Sequence, residues 1–87
     1  MLIDIRTFRA AEGVSVEDLL VADKEAQALA HLAPGIVRRT TARREADGRW
    51  LVLTFWYDAE HADRHTADPL AGLVTDEVVE RYEDIGG

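Results

Sequence analysis

Trp50-Leu51-Val52-Leu53-Thr54-Phe55-Trp56-Tyr57 is the stretch on which the fold turns. It is rich in aromatic and β-branched residues and reads as a strand. One face carries Leu51, Leu53, Phe55 and Tyr57, the other Trp50, Val52, Thr54 and Trp56. A sheet with one wet side alternates apolar with polar residues. Here both faces are apolar, so both need cover. The chain has room for two helices, enough for one face. A second copy of the same sheet is the simplest cover for the other, which predicts a homodimer through sheet faces, with Val52 or Trp56 on the partner side.

The neighbouring segments fall into place around this strand. Ile36 to Glu45 is a second extended run, joined to Arg49–Tyr57 through Ala46-Asp47-Gly48. Asp-Gly between strands predicts a type I′ turn, placing Leu51 opposite Arg44, Val52 opposite Arg43 and Trp56 opposite Arg39. Leu2 to Phe8 reads as the first strand, with Leu2, Asp4, Arg6 and Phe8 on one face and Ile3, Ile5 and Thr7 on the other. Ser15 with Asp18 three residues on forms a capping-box pattern, and Pro34-Gly35 is a stop signal. A helix is expected over Val16–Leu32, with Leu19, Ala22, Ala26, Leu29, Ala30 and Ala33 as its apolar stripe. Asp58 is placed to cap a second helix from Ala59 to about Thr66. Asp68-Pro69 restarts it, with Leu70, Leu73 and Val74 facing inward. Val78 to Ile85 reads as the last strand, before a Gly86-Gly87 tail. The order β-α-β-β-α-β is that of the ferredoxin-like split unit. The fold class is α+β, with a four-stranded antiparallel sheet in one domain over residues 1–87.

At 87 residues such a domain buries a modest share of its surface and gains from a partner. The net charge of −7 argues against a general nucleic-acid binder, since phosphates need a basic face. Between Ile36 and Trp50 five arginines meet only two acids, but they alternate across both strand faces, and edge protection with pairing to the acidic remainder of the chain or the partner subunit accounts for them. The chain has no cysteine, hence no disulfide, thiolate nucleophile or Cys-bound zinc. No apolar run is long enough to span a membrane, and Asp4 interrupts any signal-peptide shape, so a cytoplasmic domain without membrane contact is expected. Neither a glycine-rich phosphate loop nor a Ser-His-Asp arrangement is present.

The segment Trp56-Tyr57-Asp58-Ala59-Glu60-His61-Ala62-Asp63-Arg64-His65-Thr66-Ala67-Asp68-Pro69 resembles the signature of antibiotic-biosynthesis monooxygenase-like domains of the dimeric α+β barrel superfamily. The matching positions are the strand-terminal Trp56, the cap Asp58, Glu60, the helix histidine His65 and the Asp68-Pro69 restart. The resemblance implies a face-to-face sheet dimer and a cavity between sheet and helices for a small aromatic or polyketide-like ligand. The superfamily includes cofactor-free monooxygenases, and the resemblance to them implies no cofactor here. Haem-degrading members carry an Asn on the first strand where this chain has Arg6, so haem chemistry does not carry over.

His61 and His65, four apart, are expected on one side of the second helix. That spacing suits two metal ligands, but no His-Glu-x-x-His pattern accompanies them and His31 sits on the other helix, so no metal is assigned. His65, at the family's histidine position, is the candidate general base, since a free imidazole has a pKa near ~6.5. Arg6 is the candidate anion stabiliser, the alternative being a structural ion pair with Asp4 or with a last-strand acid such as Glu80. Trp56, Tyr57, Phe8 and His61 are the candidate substrate-binding residues. Two function classes follow. One is a cofactor-independent, monooxygenase-like enzyme for a planar, hydrophobic, oxygenated metabolite. The other is a non-catalytic small-molecule-binding or structural homodimer.

Overall fold

A computed structural model describes residues 1–86; the final glycine of the expected tail, Gly87, lies outside the described residues. The elements are β1 (Leu2–Ala10), α1 (Val16–Leu32), β2 (Ile36–Arg43), β3 (Trp50–Trp56), α2 (Ala59–Arg64) and β4 (Val74–Glu83). They form a four-stranded antiparallel sheet in the order β2-β3-β1-β4, the expected ferredoxin-like arrangement.

The start of α1 is made by its capping box. The Ser15 hydroxyl accepts from the Asp18 N–H at 3.0 Å, and the Asp18 carboxylate accepts from the Ser15 N–H at 3.0 Å. Leu19, Ala22, Ala26 and Ala30 are buried against the sheet. Three of the four are alanines, which lets the helix axis lie close to the strands. The core fills one end of this interface with Phe8, Leu19, Ala22, Trp50, Val52 and Leu70. Phe8 and Trp50 are opposite one another on β1 and β3, and their rings stack nearly parallel, 2° apart in plane at 6.4 Å.

The hairpin departs from expectation. Arg43 lies opposite Trp50, Ala42 opposite Leu51 and Thr41 opposite Val52, two residues out of the register set by an Asp47-Gly48 type I′ turn. The loop is longer: the Arg44 N–H donates to the Arg49 carbonyl at 2.7 Å and the Gly48 N–H to the Arg44 carbonyl at 2.8 Å. A type I′ turn needs positive φ at both central residues, and only Gly48 has it, at 73°. The Asp47 carboxylate instead grips Arg44 and accepts from the Arg49 N–H, which holds its pKa well below the usual carboxylate range. Because the displacement is two residues, no side chain changes face.

The second helix also differs. It ends at Arg64, with His65 already out of helical conformation as its C-cap. Asp68 precedes a proline, and residues in that position avoid the α region. Its carboxylate accepts from the Leu70 N–H at 3.2 Å and its carbonyl from the Ala71 N–H at 3.1 Å, making a turn where a helical restart was expected. Val74 therefore belongs to β4, which begins four residues earlier than the expected Val78.

A bulge interrupts β4. Thr7 faces Val78 but Arg9 faces Thr75, so Asp76 and Glu77 together oppose Phe8. Asp76 takes φ of 51°, a conformation aspartate tolerates better than most residues. Its carboxylate holds Arg49 at 2.9 Å. The extra residue allows both Val74, packed on the core, and Glu77 to face the helices.

Trp50, Val52 and Trp56 are buried under the helices. Neither Val52 nor Trp56 faces outward; the uncovered face carries Ile3, Ile5, Leu51, Leu53 and Phe55, all half-buried. Among the described residues no helix is long and apolar enough to cross a membrane.

Candidate functional site

Beyond the core, the same helix-covered face of the sheet carries a cavity of about 370 Å³ that opens to solvent. Its origin is readable in the strands. Where β1 ends its inward run with Phe8 it packs solidly, but one and two pairs earlier it places Arg6 and Asp4, and β3 places Thr54 and Trp56. Ala26 of α1 and Ala62 of α2 form part of the roof, and the segment from His65 to Leu70 closes one side.

Arg6 is held on this wall by two carboxylates. It donates twice to the Asp68 carboxylate, at 2.9 and 3.2 Å, and from Nε to Glu77 at 2.5 Å. Burial pulls its pKa down, but the bonds to Asp68 and Glu77 outweigh that and the guanidinium stays more firmly protonated than usual. Its guanidinium also sits over the Phe8 ring, 5.4 Å from the centroid, joining the core to the cavity. The ion-pair reading of Arg6 thus holds in kind, but the partners are Glu77 and Asp68 in place of Asp4 or Glu80. Asp4 is taken by Arg81 at 2.7 Å, and Arg81 also holds Asp63.

His65 lines the cavity half-buried, its ring 5.4 Å from that of Trp56 and tilted by 47°. Among the described residues it has no ion-pair partner, whereas each acid on the cavity wall is paired with an arginine. His61 does not join it. Its ring Nδ1 lies 2.6 Å from the Asp58 carboxylate, which also caps α2 by accepting from the His61 N–H at 2.9 Å. These two bonds, the backbone one foremost, lower the Asp58 pKa. With His65 outside the helix, the expected shared helix side is lost. Among the described residues no cluster of three or more histidines, cysteines or acids is placed to hold a metal ion.

Two further candidates lie away from the cavity. Phe8, at 1% exposure, sits in the core and does not line it. Tyr57 lies outside the cavity at 72% exposure, because β3 ends at Trp56 and the chain turns there into the Asp58 cap. Trp56, Arg6 and His65 do share the cavity.

Sequence reasoning missed Arg39, Asp68 and Glu77. Arg39 is read from sequence as edge protection and a partner for the chain's acids; it does pair with an acid, but its side chain is only 7% exposed and borders the cavity, where the sequence did not place it. It donates to Asp23 at 2.8 Å and to Gln27 at 3.0 Å, while Gln27 Nε2 donates back to the Arg39 carbonyl. The signal was present: Asp23 and Gln27 are four apart on α1, so both reach the same side of that helix.

The sequence matches no protein-family profile and no curated protein. Solved structures do match. SnoaB, a cofactor-independent oxygenase from Streptomyces nogalater, superimposes with a TM-score of 0.84 at 17% identity over 99% of this chain and 94% of its own. PA3566 from Pseudomonas aeruginosa gives 0.80 at 17% identity over 98% and 94%. An antibiotic biosynthesis monooxygenase gives 0.81 at 14% identity over 99% and 100%. The chain therefore shares the ferredoxin-like β-α-β-β-α-β fold of these proteins.

Proposed function

We propose that this chain is a cofactor-independent, monooxygenase-like enzyme whose cavity takes a planar, hydrophobic, oxygenated metabolite. The observation that carries the reading is His65, set in the cavity wall against Trp56 and free of the ion pairs that occupy the neighbouring acids. Asp68 and Glu77 share Arg6 and Asp4 shares Arg81, so each is already engaged in an ion pair. A histidine is the side chain best able to take a proton near neutral pH.

In this reading His65 removes a proton from a ring hydroxyl or an activated methylene, and the substrate becomes the reductant. Its anion passes one electron to O2, the two radicals combine into a carbon-bound hydroperoxide, and loss of water leaves a carbonyl. Overall CH2 and O2 become C=O and H2O, and the proton held by His65 returns in the dehydration. Arg6 and Arg39 are the cationic side chains of the wall that such an anion would meet, each held in place by its carboxylate partners. With an anthrone-type phenol as substrate, His65→Ala should lower turnover ~10²–10⁴-fold with little change in melting temperature. Arg6→Lys should also slow it, since the planar fork that Asp68 and Glu77 hold is lost. Full turnover in His65→Ala would remove the assignment.

The saturation of Arg6 by two carboxylates favours a second reading, a binding protein without catalysis. Ligand binding by the wild-type protein without O2 consumption would decide for it. Either way, the uncovered face of Leu51, Leu53 and Phe55 is assigned to a second copy of the chain. Sedimentation should give a dimer at micromolar concentration, and Leu53→Asp should give a monomer, because an unpaired carboxylate in that interface costs several kcal/mol, on the order of 3–5. A monomeric wild type would exclude the pairing.

A further inference from the structure

His65 and Ala67 wall two spaces. One is the cavity already described. The other is a second hollow of about 250 Å³ at the C-terminal end of α1. The rest of its lining differs sharply from the first. Leu29, Leu32, Ala33 and Pro34 make it apolar, whereas Asp4, Arg6, Arg39, Asp68 and Glu77 make the first polar. Its polar border is His61, whose ring is locked by the Asp58 bond and pressed onto Gly35, where a Cβ would come within 2.3 Å of the His61 Cγ. Arg64, the other polar group at the rim, is bonded to Glu60. Leu32, at 82% exposure, has no role in the fold's core, yet it sits on this rim.

We propose that this hollow is a tail subsite: it takes an apolar substituent of the ligand whose oxygenated ring occupies the cavity, the ligand passing between the two spaces beside His65 and Ala67. The ligand class is then an amphiphilic phenol, a polar planar head bearing an alkyl or aryl tail. The inference rests on the cavity being a ligand site. Its particular support is that one histidine borders a polar and an apolar space at once, so a molecule held at His65 by its head has the second space within reach of its tail.

The test is a homologous series of alkyl 4-hydroxybenzoates, methyl to hexyl, titrated into the full-length protein by calorimetry. Affinity should rise about threefold to fourfold per methylene until the hollow is filled. Ala33→Trp, which fills the hollow from the helix C-cap, should keep the methyl ester's affinity and abolish the rise. Leu32→Ser, a change at an exposed position, should flatten the rise without unfolding the chain. A flat series in the wild type with the methyl ester bound would overturn the tail subsite and leave the cavity reading intact. An undiminished rise in both variants would overturn it as well, since the tail would lie elsewhere. If no ester binds, the cavity reading falls and the subsite with it.

Discussion

The two ends of the space between sheet and helices differ, although the same strands floor both. At one end Phe8, Trp50 and Val52 meet Leu19, Ala22 and Leu70 in a solid core. At the other, Asp4, Arg6, Thr54 and Trp56 meet Ala26, Ala62 and the irregular segment after α2, and a cavity remains. The long helix α1 runs over both ends, but α2 has only six residues. The difference teaches that the cavity is written twice: in the strands, by charged residues at inward positions, and in the roof, by alanines and a helix cut short at His65.

The sharpest way to break this comparison is to remove one packing residue at each end. Phe8→Ala should cost about 3–5 kcal/mol, the usual loss for a fully buried aromatic. Thr54→Ala, beside the cavity, should stay within about 1 kcal/mol. Urea denaturation measures both, and equal losses would mean that the cavity end is packed as tightly as the core.

A smaller effect separates local geometry from packing. Gly35 and Gly13 both have φ of 80°, but only at Gly35 does a Cβ meet another side chain, that of His61. Gly13→Ala should lose about 1 kcal/mol for backbone conformation alone. Gly35→Ala should lose about 1–3 kcal/mol and displace His61. Melting temperatures with the His61 ring resonances decide the matter; matched losses and an unmoved His61 would deny that Gly35 seats that ring.

The smallest effect is in acid. The folded-state pKa of Asp58 lies below its unfolded value near ~3.9, so its contribution is fully present above about pH 5 and is lost as pH falls through the folded value. Stability of the wild type should therefore drop below about pH 4, and Asp58→Asn should blunt that drop. Trp50 stands at the core end and Trp56 at the cavity end, so single-tryptophan variants report the two separately. The Trp56 signal should change first on acidification. Simultaneous change at both would show that the ends respond as one.

Much of the fold was legible because burial speaks through alternation. Trp50–Trp56 is a strand as its composition predicts, and the capping box of α1 is formed as its spacing predicts. The turn register was not legible, because Asp-Gly favours a type I′ turn only where nothing competes, and here Asp47 finds Arg44 and the Arg49 N–H. The length of α2 failed for a similar reason: Asp68 serves a turn before Leu70 as readily as a helix. For the site, Arg6, Trp56 and His65 were identified as candidates and share one cavity, but their partners were not. Asp68 and Glu77 become visible only after the chain has folded, since they lie 62 and 71 residues from Arg6.

The single added residue at Asp76 has a wider consequence for how this chain can change. It divides β4 into two stretches whose inside and outside are out of step, with Val74 inward on one side of it and Glu77 inward on the other. Substitutions before it answer to the demands of the core, and those after it to the demands of the cavity, so the two halves of one strand are free to drift independently. Deleting Asp76 would end that independence: the strand could keep its valine indoors or its glutamate on Arg6, and would have to surrender the other.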